Sequence, residues 1–254
     1  MLRWLLTVAL ILPLSVQAAG NPANFAPVAE LLQGSIPTTS GLKLDLPSVS
    51  EDGSAVPVGI SFDGQLAEGD RLIRLHLFAT ENPRPELIGF RLLSSQTLPD
   101  FNTRVRLNES QKVIAVALSE QGHSWIAARD VRVTISGCLV RDHSQQVASN
   151  MQNPRIALPR RIQPNQPVEL RTLINHPMET GLRADANGEL VPQNLVQNLQ
   201  LAIDGQPALE VLFANGTAAN PYVRLLVQGQ GKELGFRWQD QQGAEVVEKR
   251  QLPL

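Results

Sequence analysis

Cys138 is the only cysteine in the chain and the residue best suited to covalent chemistry. It ends the run Ile135-Ser136-Gly137-Cys138, where an alternating apolar pattern gives way to a polar stretch. A lone thiol cannot form a disulfide within its own chain. Three interpretations therefore stay open: an incidental residue, an intermolecular disulfide that links a dimer, or a nucleophile. For a nucleophile, Ser136 and Gly137 add little bulk in front of the sulfur, which suits entry into a narrow pocket.

The other reactive side chains form no pattern that is typical of an enzyme. The four histidines have no metal-ligand spacing with each other or with the cysteine. No glycine-rich segment links a strand to a helix in the way that binds phosphate, and no Gly-x-Ser-x-Gly turn is present to carry a serine nucleophile. We therefore predict no metal site, no cofactor and no catalytic centre of the chain's own.

The first 19 residues have the organisation of a secretory signal peptide. Arg3 supplies a positive start, residues 4–14 are apolar, and the small residues Ala18 and Ala19 suit cleavage. The apolar stretch is shorter than the about 20 residues of a membrane-spanning helix, although an uncleaved anchor is the alternative. We predict a cleaved signal peptide over 1–19 and a mature protein in the periplasm of a Gram-negative cell.

The charge of the chain excludes two classes of partner. A formal net charge of -2 provides no concentrated basic face of the kind that binds DNA or RNA. It also argues against a polybasic patch for anionic lipid, and no later segment resembles a membrane span. Because one cysteine cannot form an internal disulfide, the stability of the fold must come from packing.

Apolar periodicity predicts a short helix followed by many strands. Residues 27–32 suit a helix with Val28, Leu31 and Leu32 on its apolar side, because a proline opens it and a glycine follows it. From there to Ile135, apolar residues recur at every second position in short runs. Glycine, proline and asparagine separate these runs, which is typical of a β-sandwich.

A polar stretch over 139–153 separates this half from a second one. It has no apolar periodicity, and we predict a linker there. Residues 154–254 again alternate in short runs, and Asp204-Gly205 is a strong hairpin signal between two of them. The predicted fold class is all-β: two β-sandwich domains over 20–138 and 154–254, joined by a polar linker and preceded by a short N-terminal helix.

Several longer runs carry a more specific signal. In the first half they include His76-Leu77-Phe78-Ala79, Trp125-Ile126-Ala127 and Val133-Thr134-Ile135-Ser136-Gly137-Cys138. In the second half the most specific run is Arg171-Thr172-Leu173-Ile174-Asn175-His176-Pro177-Met178-Glu179-Thr180-Gly181. The first set resembles SoxY and the second resembles SoxZ, the two subunits of a periplasmic carrier of sulfur oxidation. A chain with both resembles a SoxYZ-like fusion, and such fusions are similar to carriers associated with periplasmic quinoprotein dehydrogenases.

The resemblance implies immunoglobulin-like sandwiches in both halves and a cysteine on a mobile arm. In the family this cysteine holds a sulfur intermediate covalently while partner enzymes act on it, and Cys138 falls at its position. The family arm is Gly-Gly-Cys-Gly-Gly near a free C-terminus. Here Ser136 stands in place of one glycine, Leu139 and Val140 follow the cysteine, and the chain continues. We therefore expect Cys138 to reach a partner within a loop rather than on a free tail.

The second half contributes a signature whose role stays open. It consists of His176, Pro177, Met178, Glu179 and Gly181. These residues are consistent with a loop or a contact between the halves, and alternatively with a functional surface.

These observations favour a non-catalytic carrier that holds a thiosulfate-derived intermediate on Cys138 for periplasmic sulfur-oxidation enzymes. The alternative is an accessory interaction protein of a periplasmic quinoprotein (PQQ) dehydrogenase, in which Cys138 carries nothing. An enzyme in its own right has the least support, because no acid–base pair, metal set or cofactor loop is present in the sequence.

Overall fold

The computed structural model describes residues 20–135, 151–163, 166–229, 231 and 233–253. The predicted signal peptide lies outside these ranges. A 3-10 turn over Pro22–Asn24 precedes one short α-helix, α1 (Ala26–Leu32). The described chain otherwise forms strands: β1 (Leu42–Asp45), β2 (Val49–Ser50), β3 (Val56–Phe62), β4 (Leu72–Ala79), β5 (Glu86–Leu92), β6 (Thr97–Val105), β7 (Gln111–Ser119), β8 (Ser124–Val133), β9 (Gln152–Ala157), β10 (Val168–Asn175), β11 (Val196–Ile203), β12 (Gln206–Phe213), β13 (Tyr222–Val227), β14 (Glu233–Asp240) and β15 (Glu245–Gln251).

The strands form two sheets that pack face to face. The six-stranded sheet has the order β1-β3-β6-β13-β10-β9, and the nine-stranded sheet has the order β15-β14-β11-β12-β5-β4-β7-β8-β2. Among these neighbours only β2 and β8 are parallel. Alternate side chains of each strand point into the space between the sheets, which explains the period of two in the sequence.

The predicted short helix is confirmed, and it covers part of the outer face of the nine-stranded sheet. Pro27 lies in its first turn, where a missing N–H costs nothing, and Gln33 ends it with left-handed backbone (φ 49°). Val28 and Leu32 are buried on its inner side. The apolar side chains beneath them come from β4, β7 and β8: Phe78, Ile114, Val116 and Ile126.

Strands from the two halves of the sequence pair directly in both sheets. In the nine-stranded sheet β12 lies beside β5, with Val211 opposite Phe90. In the six-stranded sheet β13 lies beside β6, with Leu225 opposite Phe101. Phe90 and Phe101 stack between the sheets with ring centroids 4.2 Å apart, and one hydrophobic core runs through both halves. Because these pairings satisfy N–H and C=O groups that would otherwise line open edges, the halves form one body.

The predicted all-β class, with sandwich packing in both halves, is confirmed. The Asp204-Gly205 turn joins β11 to β12 and has positive φ at both residues (48° and 79°), as a tight hairpin turn requires. The folded body resumes slightly before the predicted end of the linker, because Met151 is buried and β9 begins at Gln152. Pro154 lies within β9, and an edge strand such as β9 accepts a proline.

Candidate functional site

Three predicted site residues lie outside the described residues: Ser136, Gly137 and Cys138. The structure describes the chain on both sides of them. Ile135 is the last described residue before the cysteine, and Met151 is the first one after it. We call residues 133–135 the stem.

Hydrogen bonds hold the stem to the body as far as Ile135. Ser110 Oγ accepts the N–H of Val133 at 3.0 Å and donates to the Val133 carbonyl at 3.3 Å. The Thr134 N–H donates to a β2 carbonyl at 3.0 Å, and the Ile135 carbonyl accepts the N–H of Gly53 at 2.9 Å. The described hydrogen bonds therefore reach to within three residues of Cys138.

A cavity of about 910 Å³ opens beside the stem. It lies between the N-terminal segment and the facing ends of β7 and β8, and Phe25, Ile114 and Val131 form apolar parts of its wall. Its polar wall includes an ion pair between Lys112 Nζ and Asp130 Oδ1 at 2.6 Å. We call this cavity the stem groove.

The signature residues of the second half lie at the junction between the two halves. Arg106, from the first half, donates to the carbonyls of Met178 (2.6 Å) and Pro177 (2.9 Å). Met178 is fully buried with left-handed backbone (φ 51°), and its Sδ accepts the N–H of Val196 at 3.3 Å. The segment is therefore part of the contact between the halves.

His176 is fully buried in this junction. Its Nδ1 accepts the N–H of Met178 at 3.0 Å, so the proton of the neutral ring must lie on Nε2. Nε2 has no hydrogen-bond partner among the described residues and lies 3.8 Å from Asp240 Oδ2. Burial lowers the pKa of His176; the Asp240 carboxylate opposes this effect, and Arg106 adds to it. The ring is therefore neutral at neutral pH.

Glu179 and Gly181 shape the loop that follows. Glu179 Oε2 pairs with Arg183 Nη2 at 2.9 Å, and the Glu179 carbonyl accepts the N–H of Asn194 at 2.9 Å. Gly181 has φ of 75°, and an added Cβ would lie 3.1 Å from the Cβ of Gln193. A side chain at residue 181 would therefore strain both the backbone and its neighbour.

Arg106 is the junction residue that sequence reasoning missed. It alternates with Val105 and Leu107, which suggests a solvated residue on a strand. In the structure β6 ends at Val105, and Arg106 turns toward the second half. No local sequence signal distinguishes this arginine from its neighbour Arg104, because the difference depends on which residues lie opposite it in the folded chain.

A second unpredicted pair joins His123 and Asp70 at the other end of β8. His123 Nδ1 lies 3.0 Å from Asp70 Oδ2, and Asp70 also accepts the backbone N–H groups of Arg71 and Gln121. Burial raises the pKa of Asp70, but these hydrogen bonds and one from Ser119 outweigh it and lower the pKa to about 2. The ionised carboxylate therefore ties the loop before β4 to the β7–β8 turn.

Within the described ranges, no three His, Cys, Asp or Glu side chains come together in a group that could hold a metal ion. No helix in the described part of the chain has both the length and the apolar character of a membrane span.

Solved structures share only part of this architecture. A superoxide reductase (neelaredoxin) from Ignicoccus hospitalis is 19% identical, with a TM-score of 0.34, and the match covers 37% of this chain and 81% of that chain. A variant of that protein gives 18% identity, a TM-score of 0.34, and coverage of 38% and 82%. Likeness at this level carries no argument about function. No curated protein matches the chain in sequence.

Two family models match the chain in succession. Residues 28–138 match the sulfur oxidation protein SoxY, and residues 156–251 match the sulphur oxidation protein SoxZ. The first match therefore ends at the only cysteine, and the second includes the junction segment that contains His176. Together the matches span most of the sequence, so the chain belongs to the SoxY and SoxZ families of sulfur oxidation and joins one domain of each in a single polypeptide.

Proposed function

We propose that the chain is a non-catalytic carrier of periplasmic sulfur oxidation that holds a thiosulfate-derived intermediate covalently on Cys138. The observation that carries this proposal is the end of the SoxY match, since residue 138 is both its last residue and the only cysteine. The stem supports the proposal, because it attaches the chain firmly to the body three residues before this thiol.

The chemistry needs one thiolate and an external oxidant. The thiolate of Cys138 forms a sulfur–sulfur bond with the terminal sulfur of thiosulfate, which leaves an S-thiosulfonate on the protein. Forming this bond releases two electrons, which an electron-accepting partner enzyme takes up. Because the chain has no second cysteine, the carried sulfur cannot be lost to an internal disulfide.

Two of the described histidines are already engaged at positions away from the stem. His176 is buried in the junction with its Nδ1 already occupied. His123 is bound to Asp70 at the opposite end of β8, a strand of 10 residues that spans about 30 Å. In this proposal, chemistry on the carried sulfur is the task of partner enzymes, which is what defines a carrier.

The alternative role, an accessory protein of a periplasmic quinoprotein dehydrogenase, differs in what it requires of Cys138. A docking protein needs its surface and its fold but no thiol. A carrier loses its function when the sulfur is replaced by oxygen, because a serine hydroxyl cannot form the sulfur–sulfur bond.

A Cys138→Ser variant expressed in place of the native protein tests the proposal. We expect thiosulfate oxidation by the cells to be abolished, while the amount of the protein and its melting temperature stay unchanged. Full thiosulfate oxidation with the serine variant would overturn the carrier role and leave the docking role.

A further inference from the structure

The position of Cys138 between its two anchors is strongly asymmetric. It lies three residues after Ile135 but 13 residues before Met151. Three fully extended residues span about 10 Å, so the sulfur stays within about 13 Å of the Ile135 Cα. Thirteen residues span up to about 45 Å. We call the link to Ile135 the short side and the link to Met151 the long side. The short side therefore decides where the thiol can be presented.

The long side, from Cys138 to Met151, joins two distant parts of the body. β8 leads into the stem and lies next to β2 at one end of the nine-stranded sheet. β9 follows the long side and contacts β15 at the opposite end of that sheet. With strands about 4.8 Å apart, seven steps from β8 to β15 correspond to on the order of 30 Å. The 13 residues that follow Cys138 therefore connect strands at opposite ends of the sandwich.

The described surface around the stem has features of a docking site. Val49 is 52% exposed and Ile135 is 40% exposed. Val49 lies opposite Arg132 in the β2–β8 ladder, and Ile135 lies two residues beyond the last pair of that ladder. The stem groove adjoins them, because Arg132 and Ser110 line it and Ser110 bonds to the stem. Exposed apolar side chains next to a cavity whose walls are partly apolar favour contact with another protein.

We infer that Val49, Ile135 and the stem groove form the docking surface for the enzyme that draws the Cys138 sulfur into its own active site. This inference rests on the proposed carrier function. An active site lies recessed within its enzyme, and the sulfur reaches only about 13 Å from the stem. An enzyme that receives the sulfur must therefore cover the surface around Ile135. A patch at the far end of the sheet, such as that around Val247, stays outside its footprint.

A matched pair of substitutions tests the inference. Val49→Asp places a charge in the docking surface, whereas Val247→Asp places the same charge on β15 at a residue of similar exposure (55%). The full-length mature protein is incubated with thiosulfate and a periplasmic extract of its own organism, and intact mass measures how fast Cys138 is loaded. We expect loading to slow about tenfold for Val49→Asp, since burial of a charge at the centre of an interface is costly, and to stay unchanged for Val247→Asp.

A second set of variants separates docking from folding. Ile135→Asp should slow loading as Val49→Asp does, while alkylation of Cys138 by iodoacetamide keeps its normal rate in every variant. Inserting about eight Gly and Ser residues after Ile135 should restore loading of Val49→Asp, because a longer tether frees the thiol from the stem surface. The same insertion after Val140 should not restore it.

The outcomes distinguish this inference from the carrier function on which it rests. Equal loading of the Val49→Asp and Val247→Asp proteins would overturn the docking surface and leave the carrier role intact. Rescue by the insertion after Val140 would overturn the claim that the short side governs presentation. An unloaded native protein would overturn the carrier role and the docking surface together.

Discussion

The ring of His176 is buried in the junction between the halves, and its surroundings disfavour the protonated form. Protonation would turn Nδ1 into a donor, which breaks its bond to the Met178 N–H, and would place a second cation near Arg106. The Asp240 carboxylate offsets only part of this cost. The folded state therefore binds this proton less readily than the unfolded chain, in which a histidine has a pKa of about 6.5.

Because the pKa of His176 is lower in the folded state than in the unfolded chain, stability should depend on pH. The free energy of unfolding should be greatest above about pH 6.5 and should fall as the pH drops toward the lower pKa of folded His176. His176→Asn keeps an acceptor for the Met178 N–H but cannot take up a proton, so this decline should become shallower. Urea unfolding between pH 7.5 and 5 measures the His176→Asn protein beside the native one. A decline of equal slope in the His176→Asn protein would contradict the account.

Arg106 joins the two halves through two hydrogen bonds to backbone carbonyls. Arg106→Leu removes two donors and leaves the carbonyls of Pro177 and Met178 short of partners in the junction. We expect a loss of about 2–4 kcal/mol in the free energy of unfolding. Arg104→Leu is the matched control two residues away, because Arg104 is exposed. Its Cζ lies 5.3 Å from the centroid of the Tyr222 ring, a contact worth about 0.5–1 kcal/mol. Equal losses for the two variants in urea unfolding would refute the junction role of Arg106.

At the scale of elements, α1 lies on the outer face of the nine-stranded sheet. Val28 and Leu32 attach it to an apolar face of the nine-stranded sheet, while Leu31 is only partly covered. We predict that Leu32→Ala costs about 2–3 kcal/mol in the free energy of unfolding and that Leu31→Ala costs less than about 1 kcal/mol. Chemical denaturation of both variants measures the difference. Similar losses would mean that α1 does not dock through this side.

Individual helices and hairpins could be predicted from the sequence, whereas the pairing of strands that lie far apart in the chain could not. The helix at α1 and the hairpin at Asp204-Gly205 follow from residues adjacent in the chain, so their signals are visible there. The pairing of β5 with β12 joins Phe90 to Val211, which lie far apart in sequence. A period of two indicates which side chains face inward but not which strand lies alongside. For the same reason the sequence left open how the two halves pack together, and Arg106 was not assigned to the junction.

For the whole molecule, the continuous sheets predict a single cooperative unfolding transition. Leu77 in the first half and Leu201 in the second are both buried in one core. Leu77→Ala and Leu201→Ala should each lower one common melting temperature by about 5–10 °C. Differential scanning calorimetry tests this, with a ratio of calorimetric to van't Hoff enthalpy near one. Two transitions, of which each variant shifts only its own, would show that the halves are independent.

The candidate site could be predicted from the sequence only in part. The identity and position of Cys138 are visible in a lone thiol at the end of a SoxY-like run. The places where the chain on either side of it joins the body are not, because they depend on β8 and β9 lying at opposite ends of the sandwich. The short link to Ile135 limits where a partner enzyme can bind only because hydrogen bonds hold the stem to the body.

The central claim is that Cys138 carries sulfur, and intact-mass analysis of the protein isolated from cells oxidising thiosulfate tests it most directly. The account predicts a population heavier by one thiosulfate-derived group, mapped to the peptide that contains Cys138. This added mass should disappear on treatment with a thiol reductant, because a sulfur–sulfur bond holds it. A protein that retains an unmodified Cys138 throughout thiosulfate oxidation would contradict the account.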